Sequence, residues 1–180
     1  MRYFFWAFLL LLLLPLLILD AQKHLDIAKS YVGVKEATGN NDGKEVEMFL
    51  QSVGRKKGDS WCAAFVSFCL TQSNVKEPKI RSGLARDFKR SKNLIMANDV
   101  LRGIKKVEPG YIVGWEKGNT IFGHLGFALT KWNKEFGTTI EGNTSSGISG
   151  NQSDGDGVYI RSRKIEPANY FRIVWFVPVI

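Results

Sequence analysis

The chain has 180 residues, 44% of them hydrophobic and 23% charged, a composition typical of a globular protein and too apolar for extended disorder. This length accommodates one domain with a substantial core and leaves little room for a second. Lys and Arg number 25 against 17 Asp and Glu, giving a formal net charge of +8. Such a charge attracts polyanions, but no nucleic-acid-binding motif occurs, so nucleic acid is not expected as a partner.

Residues 1–21 differ from the rest of the chain. Met1-Arg2 provides a short positive start, and residues 3–19 form an almost unbroken apolar run. As a helix this run would span about 26 Å, near the lower limit for crossing a bilayer. It is either a signal peptide, cleaved after Ala21, or an uncleaved anchor that tethers the protein to the membrane, and cleavage is the favoured interpretation. We therefore expect residues 22–180 to be exported: periplasmic, extracellular or held at the outer side of the cytoplasmic membrane.

Helical periodicity follows this segment. Apolar residues at helical spacing predict helices over residues 25–34 and 44–52. Residues 71–106 are harder to interpret and indicate a loop followed by helical material at residues 82–90 and 99–104. His24, just before the first helix, is predicted to be a solvated or capping side chain.

Residues 58–68 are the most informative segment of the chain. A polar loop turns here into an apolar helix, with Cys62 in its first turn and Asp59 or Ser60 as the expected N-cap. The positive end of a helix dipole favours the thiolate, which is the nucleophilic form of cysteine, so this position suits covalent catalysis. A buried structural cysteine is the alternative. Cys69 lies about 10.5 Å farther along the same helix, beyond the roughly 7 Å limit for a disulfide, and is expected in the core.

From residue 109 onward the pattern changes to that of β-strands. Strands are predicted at residues 111–115, 123–132, 136–141, 158–163 and 171–177, the second and third forming a hairpin. Helices therefore come first and an antiparallel sheet second, which defines an α+β fold.

His124 is the candidate base, because the only other histidine lies near the membrane segment. A cysteine nucleophile requires a base within hydrogen-bond reach and a third group that orients that base. If the hairpin turns through residues 133–134, His124 lies opposite Asn143 and Gly126 lies opposite Glu141, which makes Glu141 a diagonal neighbour of His124. Alternation of side chains then puts all three on one face of the sheet. For His124 alone, a strand-end histidine satisfied by hydrogen bonds is the alternative.

The same predicted face carries small residues. Gly126 and Ala128 lie on it and are small enough to let the Cys62 helix pack closely. The opposite face carries Leu125, Phe127 and Leu129. This pattern predicts that the Cys62 helix and the strand residues of the candidate site meet across the face with the small residues.

Three segments, taken in order, resemble the signature blocks of CHAP-type peptidoglycan hydrolases, which are papain-like cysteine amidases and endopeptidases. The blocks are Asp59-Ser60-Trp61-Cys62-Ala63-Ala64-Phe65-Val66, Gly123-His124-Leu125-Gly126 and Ile140-Glu141-Gly142-Asn143-Thr144. The resemblance covers residues 23–177. It implies a papain-like α+β fold, in which N-terminal helices, including the nucleophile helix, pack on a C-terminal antiparallel sheet.

The resemblance also implies a function and the residues that carry it. The reaction would be that of an N-acetylmuramoyl-L-alanine amidase or of a cell-wall endopeptidase, with peptidoglycan as the substrate. Cys62 would be the nucleophile and His124 the base. Glu141 would orient the imidazole, and Asn143 would be a further polar partner.

The chain departs from the family pattern in two places. Tyr111 follows Pro109-Gly110 where relatives often carry an acidic residue, and the basic Arg55-Lys56-Lys57 occupies the loop through which some members bind calcium. Turn formation explains Asn40-Asn41-Asp42 and Asp154-Gly155-Asp156, so we expect no metal and no cofactor. We expect a monomer. Two other functions fit the same fold: a catalytically silent, exported cell-wall-binding protein, and acyl or amide transfer through the same thioester.

Overall fold

The computed structural model describes residues 22–118, 120, 122–132, 134–147, 155–165 and 171–180. The predictions for residues 1–21 and for Asp154 lie outside these ranges. Across the described ranges, no helix has the length and apolar character needed to span a membrane.

The helices of the described residues all lie before residue 102. They are α1 (Lys23–Ser30), α2 (Lys44–Gln51), α3 (Cys62–Gln72), a 3₁₀-helix (Ala85–Arg90) and α4 (Ala97–Leu101). The first helix ends at Ser30, four residues before the predicted end. The residues that follow turn away to pair with a distant strand: Gly33 N–H donates to Val158 O at 2.9 Å, and Val158 N–H donates to Val34 O at 2.9 Å.

Within the described residues, six strands form a single antiparallel sheet, which confirms the α+β prediction. The strands are β1 (Ile95–Met96), β2 (Ile112–Lys117), β3 (Gly123–Ala128), β4 (Phe136–Thr144), β5 (Gly157–Lys164) and β6 (Phe171–Val177). Their spatial order is β1-β6-β2-β3-β4-β5. The sequence did not predict β1, because two residues are too few to show an alternating pattern.

The two faces of this sheet have different partners. Leu125, Phe127 and Ile140 belong to the larger core cluster, which also contains the buried residues of α3. Val113, Trp115 and Ala128 belong to a second cluster with residues of α4. Because α3 lies on the side of Leu125 and Phe127, the prediction that it packs against Gly126 and Ala128 is wrong.

A different glycine permits the close approach of α3. Gly142 in β4 faces that helix, and a Cβ at this position would lie 2.6 Å from the Trp61 ring and 3.0 Å from Phe65. All residues of α3 from Cys62 to Leu70 are buried, so the helix is apolar on every side rather than amphipathic. Each fully buried phenylalanine of such a helix contributes about 1.5–3 kcal/mol to folding.

Candidate active site

The loop before Cys62 positions the start of α3. Trp61 occupies the N-cap position, and its side chain forms no capping hydrogen bond. The prediction that Asp59 or Ser60 is the N-cap residue is therefore wrong. The Asp59 carboxylate instead accepts a hydrogen bond of 3.1 Å from Lys56 N–H and closes the preceding turn. Cys62 is therefore the first residue of the helix, where backbone N–H groups have no intrahelical acceptor.

Asn143 holds this loop in place from the other end of the sequence. Its Oδ1 accepts a hydrogen bond of 3.1 Å from the Trp61 backbone N–H. Its Nδ2 donates to Asn41 Oδ1 at 2.9 Å and to Gly155 O at 3.1 Å. The Trp61 indole adds a hydrogen bond of 2.8 Å to Glu36 Oε1. Asn143 thus joins the end of β4 to the residue that precedes Cys62.

The pairing of β3 with β4 agrees in part with the prediction. Gly126 lies opposite Glu141, as predicted. In the described part of this ladder, Gly126 and Glu141 are the last pair towards the end of β4. Asn143, two residues farther on, adopts a left-handed conformation with a φ of 55°. The pairing of β4 with β5 also shifts between Glu141 and Thr144. The predicted cross-strand pair of His124 and Asn143 is therefore wrong, because β4 leaves the regular ladder after Glu141.

His124 and Glu141 are brought together by this register. His124 Nε2 lies 3.0 Å from Glu141 Oε2, and both side chains are fully buried. The carboxylate thus engages one ring nitrogen and sets the orientation of the imidazole. Since Nε2 faces Glu141, Nδ1 is the ring nitrogen that remains for a reacting group.

Cys62 is the second partner of His124, although α3 packs on the opposite face of the sheet. Burial alone would lower the pKa of His124, but a hydrogen bond to Cys62 and its charge, together with those of Glu141, raise it to about 9. The protonated imidazolium form of His124, next to the Glu141 carboxylate, is therefore favoured at neutral pH. Cys62 retains 5% exposure, while His124 and Glu141 have none, so the sulfur lies at the boundary of a dry site.

Two residues that the sequence did not single out complete the surroundings of Glu141. Arg163 Nε donates to Glu141 Oε1 at 2.7 Å, and its Nη2 donates to Oε2. The Thr139 hydroxyl also donates to Oε1. Burial alone would raise the pKa of Glu141, but the hydrogen bonds and positive charges of Arg163 and His124 lower it to about 2. Glu141 is therefore a carboxylate throughout the physiological range.

Trp115 covers the imidazole from the neighbouring strand. It lies directly opposite His124 in the β2–β3 ladder, and the two ring centroids are 5.2 Å apart at 61°. The guanidinium carbon of Arg163 lies 5.5 Å from the centroid of the same indole. Trp115 is 4% exposed and thus helps to keep water from the His124–Glu141 pair.

A cleft of about 500 Å³ opens beside Trp115 and Gly123, the residue that precedes His124. The 3₁₀-helix and the β2–β3 hairpin form its walls, and Phe122, 65% exposed, lies at its rim. Its charged lining residues are Arg86, Asp87, Lys89, Arg90 and Glu116. Lys89 pairs with Glu116 at 2.7 Å and Arg90 with Asp87 at 3.4 Å, whereas Arg86 forms no ion pair with any residue of the described ranges.

The remaining histidine and cysteine have structural positions. His24 is buried rather than solvated, and its Nε2 donates to Gly110 O at 2.8 Å. Burial lowers its pKa, so the ring is a neutral donor. Cys69 is in the core, as predicted, and forms no disulfide with Cys62. Burial raises the pKa of the Cys69 thiol, which favours its inert protonated form.

Metal-binding side chains do not cluster in the part of the chain that the structure describes: no group of three or more His, Cys, Asp or Glu could hold an ion there. Asp42, one of the acidic residues considered in the sequence, is engaged in a turn. Its carboxylate accepts hydrogen bonds from Thr38 N–H at 2.9 Å and from the Thr38 hydroxyl at 2.8 Å. Lys57 lies 3.3 Å from the same carboxylate.

Comparisons with known proteins add no family to this picture: no protein-family model matches the chain, and no curated protein matches it.

Proposed function

We propose that this chain is a cysteine-dependent peptidoglycan hydrolase, an N-acetylmuramoyl-L-alanine amidase or a cell-wall endopeptidase, acting outside the cytoplasmic membrane. The observation that carries the proposal is the position of the His124 imidazole between the Cys62 side chain and the Glu141 carboxylate in a buried site. A nucleophile, a base and a group that orients the base are the parts that covalent amide hydrolysis requires.

The arrangement of elements supports a papain-like fold. The nucleophile is the first residue of a helix packed on an antiparallel sheet, and the base and its orienting carboxylate lie on two adjacent strands. The helix start also offers the Cys62 backbone N–H, at a position where N–H groups have no intrahelical acceptor and the helix dipole favours negative charge. This N–H is a suitable donor for the oxyanion of a tetrahedral intermediate.

Acylation is the first half of the proposed reaction. The Cys62 thiolate attacks the carbonyl carbon of the amide, and the carbonyl π electrons move to oxygen. His124 then donates its Nδ1 proton to the amide nitrogen, the C–N bond breaks, and an amine leaves. The products of this half are a thioester on Cys62 and a neutral imidazole whose orientation is kept by Glu141.

Hydrolysis of the thioester restores the enzyme. His124 Nδ1 accepts a proton from water as the water oxygen attacks the thioester carbonyl carbon. The C–S bond then breaks, releasing a carboxylic acid and regenerating the Cys62 thiolate beside the imidazolium. The sum is one amide and one water converted to one acid and one amine.

Peptidoglycan as the substrate rests on the three sequence blocks that resemble the CHAP-type hydrolases and on the expected export of residues 22–180. The net charge of +8 is compatible with an anionic cell-wall surface. The cleft beside Trp115 and Gly123 is large enough for part of a peptide, and Gly123 directly precedes the proposed base in the sequence.

Digestion of purified sacculi tests this function. The full-length chain in detergent should release soluble fragments, and mass spectrometry of their new termini distinguishes the amidase from the endopeptidase. Cys62→Ala should release none, whereas Cys69→Ala, a core substitution at the other cysteine, should retain release when folded. Equal release by Cys62→Ala would exclude the mechanism. Binding of sacculi by the unmodified chain without release would favour the silent wall-binding alternative.

A further inference from the structure

Arg163 forms a forked contact with the carboxylate that orients the proposed base. It lies on β5, on the same face of the sheet as Glu141, and its Nε and Nη2 donate to different carboxylate oxygens. This side-on, two-bond geometry fixes the plane of a carboxylate as well as its position. The Arg163 side chain is 12% exposed and the Glu141 side chain is fully buried, so the pair has little competition from water.

The two oxygens of Glu141 are shared among four donors. Oε2 accepts from His124 and from Arg163 Nη2, and Oε1 accepts from Arg163 Nε and the Thr139 hydroxyl. A carboxylate offers about four acceptor sites, so this set satisfies it. Arg163 supplies two of the four bonds and the only permanent positive charge among these donors. Without it, an ionised Glu141 in this dry site would lack half of its hydrogen bonds.

The charges of the four groups in direct contact at this site balance only when Arg163 is counted. In the ion-pair form of the proposed site, Cys62 and Glu141 are negative, while His124 and Arg163 are positive. Arg161, two residues earlier on β5, adds a further positive charge that acts on Glu141 and on Arg163 without a direct hydrogen bond to the carboxylate. Removal of the Arg163 guanidinium leaves one net negative charge among the four groups in contact, which favours uptake of a proton by Glu141. A protonated Glu141 has lost the charge that holds the imidazolium in place.

Trp115 links the two ends of this cluster. Its indole contacts the His124 ring and the Arg163 guanidinium, at centroid distances of 5.2 Å and 5.5 Å respectively. The guanidinium is thus held by a cation–π contact as well as by hydrogen bonds.

We propose that Arg163 is a positioning residue of the active site, which keeps Glu141 ionised and fixed in the plane that aligns His124 with Cys62. This role rests on the proposed function for its catalytic meaning. The arrangement of Arg163, Glu141 and His124 can nevertheless be tested through the thiol chemistry of Cys62 alone, without any wall substrate.

Arg163→Gln and Arg163→Lys test the role, with Lys164→Gln as a matched control that removes one charge from the adjacent residue of β5. Lys164 pairs with Glu135 at 3.5 Å and is 43% exposed. Two rates are measured against pH for each full-length variant: hydrolysis of sacculi, and alkylation of Cys62 by iodoacetamide, quantified on the Cys62 peptide by mass spectrometry. Circular dichroism establishes that each variant is folded.

Arg163→Gln should move the acid limb of both profiles to higher pH by about one unit, because Glu141 then takes up a proton more readily. Its hydrolysis rate at the optimum should fall by roughly tenfold or more, as expected for a misaligned base. Arg163→Lys should keep the acid limb near that of the unmodified chain but still lose several-fold in rate, because an ammonium cannot hold both oxygens in one plane. Lys164→Gln should change neither.

The two assays distinguish a failure of the positioning role of Arg163 from a failure of the proposed hydrolase function. A shifted alkylation profile in Arg163→Gln, with no hydrolysis by the unmodified chain, supports the positioning role and rejects the wall hydrolase. Unshifted profiles for a folded Arg163→Gln overturn the positioning role even if sacculi are cut. If Arg163→Gln does not fold, Arg163→Lys decides: a rate equal to that of the unmodified chain overturns the role, and a several-fold loss with an unmoved acid limb supports it.

Discussion

Asn143 Oδ1 accepts a hydrogen bond of 3.1 Å from the backbone N–H of Trp61, the residue immediately before Cys62. This bond spans 82 positions in the sequence and joins the strand of Glu141 to the helix of the candidate nucleophile. Asn143 is fully buried and has a φ of 55°, a conformation that asparagine tolerates better than most residues. Both its side chain and its backbone preference therefore suit this junction.

Asn143→Gly should destabilise the protein. Glycine accepts the left-handed conformation, so the variant removes the side chain without adding backbone strain. The buried Trp61 N–H loses its acceptor, and Asn41 Oδ1 and Gly155 O each lose a donor. Together these losses should lower the free energy of unfolding by about 1–3 kcal/mol in urea titrations. Asn74→Gly is the matched control, since Asn74 has a φ of 56° and an exposed side chain, and its stability should change by less than about 0.5 kcal/mol. Equal effects of the two changes would show that the Trp61 contact adds nothing.

Gly142→Ala should also be destabilising, for a steric reason. The added Cβ would lie 2.6 Å from the Trp61 ring, which is itself fully buried and has no room to move. We expect a loss of about 1–3 kcal/mol, measured as a lower urea midpoint. Gly83→Ala is the comparison, because the three atoms nearest to its added Cβ all belong to the flexible side chain of Arg55, which is 36% exposed. An unchanged midpoint for Gly142→Ala would mean that α3 shifts without cost.

The raised pKa of His124 predicts a loss of stability at alkaline pH. The folded value of about 9 exceeds the ordinary value of 6.5, so the folded state holds the proton more tightly than the unfolded state. The contribution of His124 to the free energy of unfolding is complete below pH 6.5 and is lost as the pH rises through 9. Unfolding free energies of the unmodified chain should therefore fall over this window, and His124→Gln should show a shallower fall. If the stability of the two proteins fell in parallel with rising pH, His124 would not be the group whose pKa causes the loss.

The lowered pKa of Glu141 has the opposite sign. The folded value of about 2 lies below the ordinary value of 4.5, so the unfolded state binds the proton more readily. Its contribution is present above pH 4.5 and is lost as the pH falls through 2. Glu141→Gln should be less stable near neutral pH and should lose less stability than the unmodified chain on acidification. If Glu141→Gln lost as much stability on acidification as the unmodified chain, a group other than Glu141 would be responsible for the loss.

The two cysteines should differ in reactivity towards iodoacetamide. Cys62 lies at the edge of the site and adjoins an imidazolium, whereas Cys69 is fully buried with a pKa raised by burial. Mass spectrometry of the native chain should find the label on Cys62 alone, and on both residues after denaturation. Labelling of Cys69 at a comparable native rate would show that α3 opens readily.

Arg86 should contribute to substrate affinity if the cleft beside Gly123 holds part of the wall peptide. It is exposed, it lines the cleft, and it forms no ion pair with a residue that the structure describes. Arg86→Gln should raise KM by roughly fivefold for a peptide with a free carboxylate, as expected for the loss of about 1 kcal/mol, with kcat unchanged. An amidated peptide should show no such rise, and neither peptide should respond to Lys92→Gln. Equal KM values for the two peptides would exclude this contact.

Local patterns were sufficient to predict the parts of the site that lie close together in the chain. The α+β order, the position of Cys62 at a helix start and the pairing of Gly126 with Glu141 followed from periodicity and from a short hairpin. A short hairpin limits the registers that two strands can adopt, and the alternation of side chains then decides which residues share a face.

Contacts between distant segments were decided only by the tertiary structure. Periodicity shows which residues of a strand share a face, but not which helix covers that face, so the packing of α3 on the side of Leu125 and Phe127 was not predictable. The burial of His24 against Gly110, 86 positions away, has the same origin.

Arg163 is the clearest case of this division. The sequence indicated Cys62, His124 and Glu141 as candidate site residues through residue type, spacing and resemblance, and the hairpin between the last two is short. Arg163 reaches Glu141 from 22 positions farther along the chain, and the sequence between β4 and β5 is too long to fix the register of β5. Only the folded sheet brings its guanidinium to the carboxylate, because the register of β5 follows from its pairing with β4 and not from any local preference of its own residues.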